Sequence, residues 1–409
     1  MEVKERMPDI AKKIFLKAGR EKSLKRRHPW VFSGAIGRLT GEPQAGDTVR
    51  VMSAEGLFLG VAAFSPQSQI AARVYAWEPQ DIGPPFFRQT IARAYAGRKA
   101  LLDSGRTNAV RLLHAESDGL PGVIADLYDH TVVVQLLTTG AQRWREDIFD
   151  VFMGLPGVTG VWERSDADVR ALEGLQPQVG LARGIAPGEP LLIHEDGLQF
   201  EVSLKDGHKT GYYLDQRDNH WALRQWVKDK QVLDCFCYSG GFALNALKGG
   251  ASTVVGVDSS GPALWVAKAN AQRNGFAATA VEWLEADVFQ ALRKFRDQGR
   301  RFDVVVLDPP KLAPTAAHAE KAARAYKDIN LMAFKLLNPG GRLLTYSCSG
   351  GISAELFQKI VAGAALDAGV QVRIQAWHHA AFDHPVVLHF PEGEYLKGLV
   401  CELSGGGEG

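Results

Sequence analysis

The C-terminal half of this 409-residue chain predicts an α/β fold on a doubly wound parallel sheet, preceded by a β-rich segment and a small α+β segment. Three observations predict it. From residue 190 onward, short apolar strands alternate with amphipathic helical stretches, the rhythm of a parallel sheet whose crossovers are helices. The first of these strands runs into a glycine-containing turn, Asp234-Cys235-Phe236-Cys237-Tyr238-Ser239-Gly240-Gly241, which opens a helix. The next strands end in acidic or polar residues, and open α/β sheets bind ligands at the carboxyl ends of their strands.

Taken in order, residues 1–78 show short apolar runs between turn signals, at Ile14 to Leu16, His28 to Phe32, Asp47 to Met52, Leu57 to Phe64 and Ile70 to Ala76. Runs this short, punctuated by Gly and Pro, read as a small barrel or sandwich. The stretch Pro79 to Pro85 reads as a linker, and Phe86 to Leu102 as a helix carrying Arg88, Arg93, Arg98 and Lys99. Gly122 to Leu127 and Thr131 to Leu137 form a hairpin around Tyr128-Asp129-His130, followed by a helix over Ala141 to Met153 and strand-like stretches at Val158 to Glu163 and Leu191 to Leu204. A central α+β unit thus spans residues 86–188, closed by the Gly- and Pro-rich loop Gly180 to Pro190, and residues 190–409 form the last domain. Its strands are Val232 to Phe236, Thr253 to Val257, Val281 to Glu285, Phe302 to Leu307 and Arg342 to Ser347, with helices over Pro262 to Asn274 and His318 to Leu337. The tail Ser404 to Gly409 reads as frayed.

Composition narrows the function classes. With 46% hydrophobic and 23% charged residues the chain reads as a soluble globular protein. No apolar run approaches the ~18 residues of a membrane helix, and the start MEVKERMPDIAKK lacks a secretory apolar region, so a cytoplasmic location without a membrane partner is expected. Four cysteines, Cys235, Cys237, Cys348 and Cys401, are too few for a disulfide framework and show no zinc spacing, so no metal is expected. Net charge is +1, but residues 1–30 hold ten Lys or Arg against four Asp or Glu. Lys17, Arg20, Lys22, Lys25, Arg26 and Arg27 could release counterions from a phosphate backbone, or form a solvated basic face.

The strand tips carry the chemistry. Asp258 follows the glycines by about twenty residues, where a carboxylate can bind ribose hydroxyls. Asp287 can accept from an adenine amino group or simply cap the helix that begins at Val288. A dinucleotide site would need G-x-G-x-x-G, which Tyr238-Ser239-Gly240-Gly241 does not supply. The series resembles the class I Rossmann-like S-adenosylmethionine methyltransferases. That resemblance implies that Asp258 holds the ribose, Asp287 the adenine, and the loop with Phe236, Tyr238, Ser239 and Gly240 the methionine portion.

The fourth strand ends Asp308-Pro309-Pro310-Lys311, a rigid extended turn able to hold polar groups near the methyl donor. Lys311 stands where amino-group methyltransferases place an aromatic residue, which argues against N6-adenine or N4-cytosine methylation. The fifth strand ends Ser347-Cys348-Ser349-Gly350, placing a thiol at the same crevice, either as a nucleophile or as a structural cysteine.

Six runs then resemble the RlmI-type family of 23S rRNA cytosine-C5 methyltransferases over essentially the whole chain. They are His28 to Gly34, Thr210 to Arg217, Asp234 to Gly241, Asp308 to Lys311, Ser347 to Gly350 and Pro391 to Gly398. The resemblance implies an N-terminal β-barrel-like PUA domain, a central EEHEE-type α+β domain and a catalytic domain using S-adenosylmethionine. It implies that Cys348 is the thiol adding to the base, that Asp308 and Lys311 border that base, and that Asp308 and Gln216, with Arg217 beside it, lie near the cofactor. The bland reading of Gln216 and Arg217 is a surface hairpin. The expected partner is 23S rRNA or a large-subunit precursor, and a homodimer is compatible with the sequence. Two other classes compete: an RNA-binding assembly factor with an inactive methyltransferase fold, and a small-molecule methyltransferase. The acids with Cys348 disfavour the first, and the basic, Trp-containing N-terminal segment disfavours the second.

Overall fold

The computed structural model describes residues 11–205, 207, 209–313 and 318–404; Lys4, Arg6 and the tail beyond Ser404 lie outside the described residues. The chain gathers into two compact units. One runs to Ile193 and adds Val202–Tyr213 and Asp383–Gly393; the other comprises His194–Glu201, Leu214–Phe382 and the chain from Glu394.

In the first unit, six strands pair in the spatial order Trp30–Phe32, Ile70–Ala76, Phe58–Phe64, Thr48–Met52, Lys13–Leu16 and Ile36–Thr40. Alternating apolar residues such as Ile14, Leu16, Val49, Val51, Ala62 and Val74 face one core. Ile36–Thr40 carries almost no apolar signal, being Ile-Gly-Arg-Leu-Thr, and becomes a strand because its backbone pairs with the edge at Lys13–Leu16. Five further strands order as Gln178–Gly184, Gly160–Ser165, Thr131–Leu136, Val123–Tyr128 and Ala109–His114, flanked by helices Pro84–Asp103 and Arg145–Met153. Three expectations shift here. Pro84 and Pro85 open the helix rather than a linker, because the first helical turn needs no amide donors. The loop expected from Gly180 begins as an edge strand, since its amides pair with Gly160–Ser165. The helix expected over Ala141 to Met153 is broken at Trp144 into Thr139–Arg143 and Arg145–Met153.

A distant chain segment completes this unit. Trp30 Nε1 donates to Glu116 Oε1 at 2.8 Å, and its ring lies 5.0 Å from that of Phe390. His28 Nε2 meets the Glu392 carboxylate at 3.2 Å, while Asp383 accepts the Arg111 amide at 2.7 Å. The His-Pro-Trp run is therefore a packing device as well as a signature.

The second unit holds the doubly wound sheet. Its strands are β1 Gln231–Cys235, β2 Thr253–Asp258, β3 Val281–Glu285, β4 Phe302–Leu307, β5 Leu337–Ser347, β6 Val372–His378 and β7 Lys397–Leu403, in the spatial order 3-2-1-4-5-7-6. The first five are parallel, and β7 runs antiparallel to both β5 and β6. Helices α1 Gly241–Lys248, α2 Gly261–Arg273, α3 Val288–Asp297, α4 Ala319–Leu336 and α5 Ala354–Ala368 make the crossovers and cover a core that includes Leu233, Val305, Tyr326, Phe334, Leu343 and Phe357. The strand order reverses at β1, so the tips of β1, β2 and β4 border the crevice where such sheets bind ligands.

At the end of β6, His378 stacks on Tyr346 and Trp226, with ring centroids 5.9 and 6.1 Å away. Its Nδ1 lies 2.8 Å from the Tyr346 hydroxyl. Burial pushes the Tyr346 hydroxyl well above its ordinary range, so the phenol donates and the imidazole accepts. Burial first, then neighbouring His379, lowers His378 to about 4. The folded state thus holds His378 neutral, while the unfolded chain binds its proton below about 6.5. This contribution is complete above pH 6.5 and is lost as pH falls toward 4, amounting to about 3 kcal/mol. Denaturant titrations should show a shallower loss of stability across that window in His378→Gln than in the parent. An identical pH slope would place the proton uptake elsewhere.

Candidate active site

The turn after β1 is held in an uncommon backbone shape. Phe236 and Tyr238 have φ of 62° and 47°, a left-handed conformation that costs bulky residues about 1 kcal/mol or more each. Neighbouring strands hold it: Cys237 N–H donates to Val257 O at 3.1 Å, and Asp308 N–H to Cys235 O at 3.4 Å. Gly240 has φ of 88°, and a Cβ there would lie 2.8 Å from the Leu244 side chain and 3.2 Å from Trp283. At Gly241 a Cβ would fall 2.6 Å from the His220 ring, which the Glu195 carboxylate holds at 2.9 Å. Close approach, not turn geometry alone, requires this glycine pair. Ser239 is fixed from behind, since Asn270 Nδ2 donates to its carbonyl at 3.1 Å and Asn270 Oδ1 accepts the Glu201 amide at 2.8 Å.

Asp258 sits half-buried at the tip of β2. One carboxylate oxygen accepts the Tyr238 amide at 2.9 Å and the other the Ser260 amide at 2.9 Å. Each oxygen keeps capacity for a further donor, so the group can shape the loop and still accept a hydroxyl. Asp287 is exposed and caps α3, its Oδ1 accepting Gln290 N–H at 3.0 Å. The capping reading is therefore realised, with the second oxygen outside the cap. Gln216 and Arg217 are buried rather than displayed on a surface hairpin. Gln216 Oε1 accepts from Asn219 at 2.7 Å, and the helix it precedes, Arg217–Leu223, carries His220 to Gly241. Adjacent Asp215 accepts the Tyr395 hydroxyl at 2.6 Å.

Asp234 opens the loop sequence at the end of β1. Its carboxyl group is buried, and neither oxygen makes a hydrogen bond of good geometry among the described residues, although the Ala243 amide leans on it. Burial, then the nearby Asp308 and Asp258 charges, push it well above the usual carboxylate range. Ser239 Oγ is buried and lacks a partner among the described residues. Three carboxyl groups and an unsatisfied hydroxyl around one strained turn are complementary to a cation carrying hydroxyl and ammonium groups.

On the other side of β4, Asp308 is half-buried and Lys311 exposed. The turn after β5 is sewn to this segment by Ser349, whose Oγ accepts the amides of Leu312 at 3.1 Å and Ala313 at 3.0 Å. With both lone pairs engaged, the Ser349 hydroxyl directs its proton to the Tyr326 oxygen, 3.0 Å away, which also receives the Ser347 hydroxyl at 2.9 Å. Asp308, Lys311 and Cys348 thereby belong to one cross-braced pair of turns. Cys348 is partly exposed, whereas Cys235, Cys237 and Cys401 are buried. Burial raises the Cys235 and Cys237 thiols well above their ordinary range and Cys401 to about 12, so all three stay protonated at neutral pH. The sequence gives no sign of Asn270 or Tyr326, and names Ser349 and Lys397 only within longer runs; Lys397 is buried, and its Nζ donates to the carbonyls of Ser349 and Ile352, each at 2.9 Å.

The acid-ringed turn fits S-adenosylmethionine, a sulfonium with an α-ammonium and ribose hydroxyls. Residues 181–373 match the family of S-adenosylmethionine-dependent methyltransferases, and residues 14–77 match a PUA-like domain. The fold is shared with a solved S-adenosylmethionine-dependent methyltransferase from Streptococcus mutans, at a TM-score of 0.83 and 22% identity over 95% of this chain and 99% of that one. A methyltransferase solved in complex with SAH superimposes at 0.84, with the same identity and coverage. In sequence, the chain is 49% identical over 397 residues to ribosomal RNA large subunit methyltransferase I of Shewanella denitrificans, covering 96% of this chain and all of that one. It is 48% identical over 392 residues to the protein of the same name from Vibrio vulnificus, covering 95% and 99%. Likeness of this degree over nearly the full length of both chains, with an acid-ringed turn suited to the cofactor, makes this chain a member of the ribosomal RNA large subunit methyltransferase I family of S-adenosylmethionine-dependent enzymes.

Proposed function

We propose that this protein methylates C5 of a cytosine in 23S (large-subunit) rRNA, in the cytoplasm, through a covalent bond between Cys348 and C6 of the base. One observation carries the reading: of four thiols, only Cys348 is reachable, and it stands on a turn braced against the Asp308-Pro-Pro-Lys311 segment. Bound S-adenosylmethionine supplies an electrophilic methyl group. Asp258 would accept the ribose hydroxyls, Asp287 the adenine amino group through its outer oxygen, and Phe236, Tyr238, Ser239 and Gly240 would surround the methionine portion, with Gln216 and Asp308 at its edge. Asp234 adds a buried carboxyl group on which a cation would confer ionisation.

Cytosine C5 is a weak nucleophile until something adds to C6. The Cys348 thiolate forms the S–C6 bond, and the C5–C6 π electrons become available at C5 to take up the methyl carbon, whose bond to the donor's sulfur would break with its electron pair left on the neutral thioether. Asp308 would serve the base edge at N3 as a proton donor, in its acid form, because N3 carries no hydrogen and negative charge develops there as C6 is attacked; a site with little water strengthens that interaction. Loss of the C5 proton to a base then restores the C5–C6 double bond as the S–C6 bond breaks, returning the thiolate. Lys311 would border the base on its exposed side.

The RNA platform is assigned to the N-terminal domain, where Lys17, Arg20, Lys22, Lys25, Arg26 and Arg27 are all exposed around the short helix Lys22–Lys25, with Phe32 exposed beside them. A phosphate backbone meets such a ridge by counterion release, and an unstacked base can rest on an exposed ring.

Three outcomes test this assignment. Calorimetry with S-adenosylhomocysteine should show Asp258→Ala weakened by about 1 to 3 kcal/mol, the range for a hydrogen bond to a charged group; unchanged affinity would move the ribose elsewhere. Neutralising Arg20, Lys22 and Arg26 together should make the dependence of log affinity on log salt shallower by about two units for a single-stranded rRNA fragment while leaving cofactor binding intact. A parental salt slope would place the platform on another surface. Cys348→Ala should bind cofactor and RNA normally yet lose turnover by several orders of magnitude. RNA containing 5-fluorocytosine should trap an adduct with the parent and none with this variant. An adduct mapping to Cys235 or Cys237 would name the wrong thiol.

A further inference from the structure

We propose that Lys397 is a positioning residue for Cys348: its buried ammonium clamps the turn that carries the thiol and stabilises the thiolate against the neutral form. This rests on the reading of Cys348 as nucleophile and extends it to how that nucleophile is prepared.

Three structural facts converge on this lysine. It opens β7 directly opposite Ser347 in the antiparallel ladder, so its side chain emerges beside the residue that precedes Cys348. Its Nζ reaches past the thiol's position in the chain to the carbonyls of Ser349 and Ile352, at 2.9 Å each, and so spans the turn that begins at Cys348. It is 8% exposed, and no carboxylate lies within ion-pairing distance among the described residues.

A buried ammonium satisfied only by two neutral carbonyls is an uncommon expense, because a charge removed from water normally needs a counter-charge. The ionised thiol would supply it. Burial is the largest influence on Lys397 and lowers its proton affinity, while Cys348 and Glu394 raise it and Lys311 lowers it. Lys397 from β7 and the Tyr326 hydroxyl from α4 both interact with the thiol; Glu394 and Lys311 act on Lys397, and Asp308 acts on Tyr326. Tyr326 stays protonated, since burial raises it, and so adds no charge. Lys397 is buried and Lys311 exposed, so solvent screens the first much less. An opposite charge within a few ångströms favours the charged form of its neighbour by about one unit or more.

The test is the pH profile of Cys348 alkylation by iodoacetamide in the full-length protein, read by mass spectrometry of the peptide that contains it, with Cys348→Ala as the blank. The parent's alkylation midpoint should lie below that of a free thiol, roughly 8.5. Lys397→Met should raise it by about one unit or more and slow alkylation at pH 7 about tenfold, while S-adenosylhomocysteine binding shows that the fold persists. Lys397→Gln, able to donate to one carbonyl without a charge, carries the same test if Met unfolds the domain. Lys397→Arg should restore much of the parental midpoint, and Lys311→Met should shift it less than Lys397→Met. A parental midpoint in both neutral variants would overturn the proposal. Were the midpoint to shift as expected while 5-fluorocytosine RNA gave no adduct with the parent, the lysine's effect would stand and the covalent mechanism would fall.

Discussion

One hydroxyl ties together the turns that follow β4 and β5. Ser349 Oγ accepts two consecutive amides, Leu312 and Ala313, from the segment that follows the Asp-Pro-Pro turn. Those amides follow a proline pair that cannot donate, so the segment cannot hydrogen-bond as a strand would until a side chain reaches across. Because the Ser349 lone pairs are taken, its proton must point at Tyr326, and that constraint carries the order of the turn into the middle of α4. Remove this acceptor and the buried Ala313 amide loses its partner, at a cost of about 1 to 3 kcal/mol, while the half-buried Leu312 amide is left to solvent. Asp308 and Cys348, which lie on separate strands, would lose the brace that holds their turns together.

The cofactor side obeys the same logic with different atoms. Asp258 accepts the Tyr238 amide across the gap between β1 and β2 and helps hold two aromatic residues in left-handed backbone conformations. A carboxylate used this way is scaffold, and each of its oxygens keeps capacity for a further donor. Asp234, Asp258 and Asp308 gather carboxyl groups where a sulfonium cofactor fits, the buried Asp234 held well above the usual carboxylate range, while Lys397 and Lys311 bring positive charge to the turn that carries Cys348. Carboxyl groups on one side of the crevice and lysines on the other give its two sides opposite electrostatic character.

In the first unit, the indole of Trp30 plays the comparable role, donating to Glu116 and packing on Phe390. Phe390 belongs to a segment more than 350 residues away in sequence, and neighbouring Asp383 accepts a strand amide at Arg111. Sequence runs that carry the family resemblance, His28 to Gly34 and Pro391 to Gly398, are thus partly fold determinants. That they recur as signatures does not make every residue in them chemical.

The parallel sheet was legible from residues alone, because buried strands and helical crossovers impose periodicities that survive in one dimension, and the turn at Asp234 to Gly241 announces itself by composition. The positions of Asp258, Asp287, Asp308 and Cys348 at strand tips follow from the same pattern. What remained illegible depends on partners distant in sequence. Ile36–Thr40 has no apolar alternation and is a strand only because a neighbouring edge pairs with it. Asn270, Ser349 and Lys397 are ordinary polar residues whose roles come from atoms that folding delivers. Sequence by itself determined which strands end in polar and acidic residues; tertiary structure decided which thiol is exposed, which carboxyl group is buried and which amine closes the turn that carries Cys348. Burial and hydrogen-bond partnership are properties of the packed chain, and no local pattern encodes them.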